Sequence, residues 1–161
     1  MATAIPDLWP SDIDVQVVPP LDILKAQEAT LAQKTKGILQ AKVSTTATDK
    51  LVQHDLDLIA PSLHFYRERI LSVTHDRGFI YPVRVSSGVF DPNTSMRLSQ
   101  LQQALLADPG RNQRIAATEE EFINLVRQVL QSDEVRALIQ SLIARSNELN
   151  RKAAQDMPPS A

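Results

Sequence analysis

The chain has no cysteine among its 161 residues, which excludes a disulfide framework, thiol catalysis and cysteine-ligated zinc, and leaves the redox compartment open. Its four glycines are scattered, at Gly37, Gly78, Gly88 and Gly110, so there is no glycine-rich loop of the kind that cradles phosphate. Neither sign of charge is in excess: 17 basic and 19 acidic residues give a net charge of −2, and no overall field draws in nucleic acid or an anionic membrane. No apolar run is long enough to span a bilayer. Residues 1–20 carry acids and prolines where a signal peptide would carry a basic start and a continuous apolar run. The expectation is a soluble, cytoplasmic chain with no membrane partner. Catalytic signatures are missing too: no GxSxG elbow, no HExxH and no calcium loop can be found.

What is present is clearest in residues 51–85. Val52, His54, Leu56, Leu58 and Ala60 alternate with Gln53, Asp55 and Asp57, the pattern of a strand with one apolar and one wet face. Pro61 ends that strand, and Ser62 is a good helix N-cap. Leu63, Tyr66, Ile70 and Val73 then fall at i, i+3, i+7 and i+10, which predicts a helix packed on the sheet. Asp76-Arg77-Gly78 makes a turn, and Phe79, Tyr81, Val83 and Val85 alternate as a second strand, placed at a sheet edge by Pro82.

Pro6, Pro10, Pro19 and Pro20 forbid a long helix in residues 1–20, which read as an arm. Its Trp9, the only tryptophan, is expected to tuck against the core. Residues 21–40 are rich in helix formers, with Leu24, Leu31 and Ile38 spaced by seven and Gly37 near the end. Residues 41–48 suit a strand that forms a hairpin with the one from Leu51. Turn residues fill 88–94. Thr94 or Ser95 then caps a helix carrying Leu98, Leu101 and Leu105, stopped by Asp108-Pro109-Gly110, and residues 111–117 read as a connector. Thr118 and Glu121 match a capping box. The stripe Phe122, Leu125, Val126, Val129, Leu130 is out of register with Val135, Leu138, Ile139, Leu142, Ile143, so two helices meet near Ser132, which caps the second.

The fold class that follows is α+β: a small antiparallel or mixed sheet packed by two helices, then a C-terminal helical segment ending in a helix hairpin. The divisions are an arm (1–20), an α+β module (21–87), a linker (88–94), a helical module (95–147) and a frayed tail (148–161).

On the expected helix, His64, Glu68 and His75 would share one side, but His75 would sit about 16 Å beyond His64, too far for a shared ion. Asp55 and Asp57 read as ordinary solvent-facing residues. Arg67, Arg69, Arg77 and Arg84 with nearby aromatics could hold phosphate and stack bases, without any nucleic-acid-binding signature in support. The leading reading is a non-enzymatic interaction or accessory protein acting through protein contacts, with a protein partner or a second copy, and with no catalytic, metal or cofactor residues assigned. Its interaction residues are Tyr81 and Arg84 on the edge strand and Leu138 and Leu142 on the last helix. Behind it stand a small metal-dependent hydrolase or nuclease using His64 and Glu68, and a nucleic-acid-binding module.

Overall fold

A computed structural model describes residues 4–90 and 112–158. Helix α1 (Pro20–Lys34) leads into strands β1 (Gln40–Ala47), β2 (Leu51–Ala60), β3 (Tyr66–Asp76), β4 (Val83–Ser86) and β5 (Gln113–Ala116), then helices α2 (Glu119–Leu130) and α3 (Asp133–Gln155). The strands form one antiparallel sheet in the order β1-β2-β3-β4-β5. With three helices among the described residues this is an α+β fold. The helix expected over residues 94–108 lies outside the described residues.

Several local signals act as read. Thr48 and Leu51 close the turn between β1 and β2, with Thr48 N–H donating to the Leu51 carbonyl at 2.8 Å. Helix α1 stops earlier than expected, because Thr35 turns its hydroxyl onto the carbonyls of Leu31 and Leu39. Gly37, at φ +79°, lets its N–H return to the Ala32 carbonyl, a left-handed cap that suits a residue without Cβ. Thr118 accepts from Glu121 N–H at 3.2 Å, while the Glu121 carboxylate accepts from Ala117 N–H, one residue earlier than a capping box requires. Ser132 caps α3 by accepting from Val135 N–H. That helix continues to Gln155, past the point where the apolar stripe ends.

Four expectations need correction. The helix predicted after Pro61 is strand β3, reached through a short 3-10 turn at Pro61–Leu63. His64 and Phe65 follow at φ +56° and +57° and reverse the chain, and β3 pairs along all of β2. The register runs Leu56 to Leu71 and then Asp57 to Arg69, so Ile70 is the extra residue of a β-bulge. The bulge puts two buried residues side by side and turns a two-residue alternation into a spacing that mimics a helix. Second, β4 covers only Val83–Ser86 and lies between β3 and β5, so it is not an edge; Pro82 precedes the strand and removes no ladder bond. Third, the expected connector contains β5, four residues too short to show a period. Fourth, Trp9 does not tuck in: it is 78% exposed. The arm's prolines keep it out of helix and strand, and the chain bends locally at Trp9, whose backbone N–H donates to the Asp7 carboxylate at 3.0 Å.

One core joins the sheet to the helices. Leu24 of α1, Leu56, Leu71, Val73, Val83 and Val85 of the sheet, Phe122, Val126 and Val129 of α2, and Val135 and Leu142 of α3 are all buried in it. Residues on both sides of 88–112 therefore share one sheet and one core. Helix α1 also guards the β1 edge, because Glu28 accepts from the outward Val43 N–H at 2.5 Å.

Candidate functional site

Residues 4–17 contribute nothing to that core. Ile5, Leu8, Trp9, Ile13 and Val15 are 71–91% exposed. The arm meets the body at Val18, whose N–H donates to Glu119 at 3.0 Å and whose carbonyl accepts from the Tyr81 hydroxyl at 3.1 Å. Tyr81 is held edge-on against Phe122, with ring centroids 6.3 Å apart. Burial, and then the charge of Glu119, push its phenol up to about 12, so the hydroxyl stays a donor at any physiological pH. Pro19 and Pro20 follow at once and open α1. The arm is thus pinned at its root and free along its length, with apolar groups and three aspartates, Asp7, Asp12 and Asp14, but no basic residue.

Of the other expected interaction residues, Arg84 is exposed on β4, opposite Thr74 and Ile115. Leu138 is half-buried against the core and Leu142, 3% exposed, belongs to it.

The constellation expected on the helix does not assemble. His64 sits in the turn before β3, Glu68 accepts from the Tyr66 hydroxyl at 2.8 Å, and His75 lies at the far end of the strand. The Glu68 carboxylate raises the Tyr66 phenol above its ordinary value through that bond, with burial adding to it.

His75 instead meets His54, a pairing that sequence spacing could not reveal because strand register creates it. Their Nε2 atoms are 3.2 Å apart. Nδ1 of His75 faces the Asp76 and Phe79 carbonyls at 2.7 and 3.2 Å, and Nδ1 of His54 faces the Thr45 hydroxyl at 2.8 Å. Carbonyls only accept, so His75 carries its proton on Nδ1; when neutral it offers a lone pair at Nε2. His54 must then donate from Nε2 and accept from Thr45, a neutral relay with every group satisfied. Burial foremost, and the neighbouring His75 second, lower the His54 pKa.

Asp55 and Asp57 also differ from expectation, being buried rather than solvated. Arg67 reaches Asp57 at 3.0 Å, and Arg69 bridges Asp55 at 3.1 Å and Asp57 at 3.3 Å. Ser72 and Gln53 donate to Asp55 as well. The bulge at Ile70 brings both arginines over the carboxylates. Alternation told which face the acids share, but not that arginines of the neighbouring strand cover them. A polar hollow of about 430 Å³ borders this network and is lined by Arg67, Arg69, Ser86 and Asn112 among others. Asp55 and Asp57 are both engaged by arginine, which is the chemistry of a structural ion-pair network rather than of an acid-base pair, and Glu68 at the rim accepts from the Tyr66 hydroxyl.

A second hollow, an apolar groove of about 380 Å³, runs between α1 and α2 with the start of α3 at its side. Among the described residues, no group of three or more His, Cys, Asp or Glu side chains is placed to hold a metal ion, and no helix is long and apolar enough to cross a membrane. No protein-family model, curated protein sequence or solved structure matches the chain.

Proposed function

We propose that the chain is a non-enzymatic interaction protein acting through protein–protein contacts, with the arm, residues 4–17, as the segment a partner holds. The observation that carries this reading is the exposure of five large apolar side chains in one short stretch, beside a body that has closed its own core. Clustered apolar surface of this kind marks interaction sites, whereas single exposed apolar residues need no explanation. A proline-bearing peptide outside helix and sheet suits such a role: its backbone is tied into no ladder, and its prolines leave fewer conformations to lose on docking. The acidic charge of the arm turns it away from nucleic acid and towards a basic-rimmed protein surface.

Removal of the first 17 residues tests this. The shortened chain is expected to keep the unfolding transition of the whole and to lose the protein that co-purifies with the intact chain. Retention of that partner by the shortened chain would contradict the proposal.

A further inference from the structure

We infer that the partner of the arm is a second copy of this chain, each copy laying residues 4–17 into the groove between α1 and α2 of the other. This rests on the reading of the arm as the interaction element and names what receives it. The groove has apolar walls, including Ile23, Leu31, Leu130 and Ile139, and exposed cations, Lys34 and Arg127, among its lining residues. Among the described residues, the one acid lining it is Asp57, which Arg67 and Arg69 already engage. The arm offers the complement: Ile5, Leu8, Trp9 and Ile13 for the walls, Asp7, Asp12 and Asp14 for the cations. Its prolines at 6 and 10 exclude a helix, so the arm carries no backbone ladder of its own and can adapt to the groove on docking.

The chain does not fill its own groove. Val18 is held on both backbone groups by Glu119 and Tyr81, at the α2 N-terminus, while Lys34 ends α1 and Arg127 lies in the last turn of α2. From that root the arm's apolar side chains lie in solvent. Strand addition at β1 is opposed by Glu28, which occupies the Val43 N–H on that edge. Reciprocal exchange between two copies uses both arms and both grooves, and it closes with twofold symmetry.

Trp9 is the only tryptophan, so its fluorescence reports on the arm alone. The test follows Trp9 emission and sedimentation of the full chain over a concentration series. Dimer formation with a blue shift of Trp9 in step is expected. The double variant Lys34→Glu/Arg127→Glu should weaken the dimer by more than about tenfold, since two attractions in each of the two grooves become repulsions. Combining it with Asp12→Lys/Asp14→Lys should restore much of the loss. All four positions are exposed, and circular dichroism verifies that the variants stay folded. A chain that is monomeric at every concentration with Trp9 in solvent overturns the exchange but leaves the arm free for a different protein, so the broader proposal survives. A blue-shifted monomer overturns the exchange in favour of docking on the chain's own body. A dimer with Trp9 still in solvent overturns the exchange, because the copies then meet elsewhere, and leaves the broader proposal to be decided by removal of the arm.

Discussion

Leu8 and Leu24 are the same residue type a short way apart in the chain, yet Leu24 has no exposed surface and Leu8 is 83% exposed. The body, from α1 onwards, buries most of its apolar groups between the sheet and the helices and leaves only scattered ones such as Phe65, Phe79 and Ile115 outside, whereas the arm presents five in one short stretch to water. Proline accounts for the difference locally. From Pro20 the chain runs without another proline until Pro61, which lets α1 and the first hairpin form, whereas Pro6 and Pro10 keep the arm out of a helix. Apolar side chains that the fold does not use are available to something outside it.

The comparison is broken most forcefully from the body's side. Phe122 is wholly buried and supports Tyr81, so Phe122→Ala is expected to cost about 3–5 kcal/mol in chemical denaturation. A cost near zero would mean that the core is not where α2 meets the sheet. Asp57→Ala removes the anchor of two arginines; because both are half-exposed and can return to water, the expected loss is about 2 kcal/mol.

The histidine relay gives the body a pH dependence that the arm lacks. The folded-state pKa of His54 lies below the ordinary 6.5, so between those two values the unfolded chain binds more protons than the folded one. Stability from this group is complete above about pH 6.5 and falls as the pH drops towards the folded value. Denaturation at a series of pH values should show the decline, and His54→Gln should flatten it; an unchanged profile would rule out the relay as its source. A smaller effect of opposite sign is expected at Ser146, whose hydroxyl is fully buried on α3 without a hydrogen-bond partner among the described residues. Ser146→Ala should raise stability by about 1 kcal/mol. Smallest of all, Trp9→Ala should shift stability by no more than about 0.5 kcal/mol, as at an ordinary surface position.

Elements whose periodicity is undisturbed were legible in the sequence. The β1-β2 hairpin, helix α1 and the separate caps of α2 and α3 carry their signals in adjacent residues. Strand β3 was hidden by one inserted residue, Ile70, which shifted its inward positions and produced a helical spacing. The site was less legible than the fold. Prolines marked the arm, but whether Trp9 tucks or projects depends on room elsewhere in the molecule. His54 and His75, and Asp57 with Arg67 and Arg69, meet through strand pairing, and the misread helix displaced one half of each group.

The central claim, that the arm serves association and the body serves stability, is tested most directly by measuring both properties on one pair of proteins. The intact chain and the chain lacking its first 17 residues would be compared by denaturation and by sedimentation over the same concentrations. The account predicts that the denaturation curves differ by no more than about 0.5 kcal/mol while the assembled species disappears with the arm. A shortened chain that assembles as before, or that loses a large part of its stability, would contradict it.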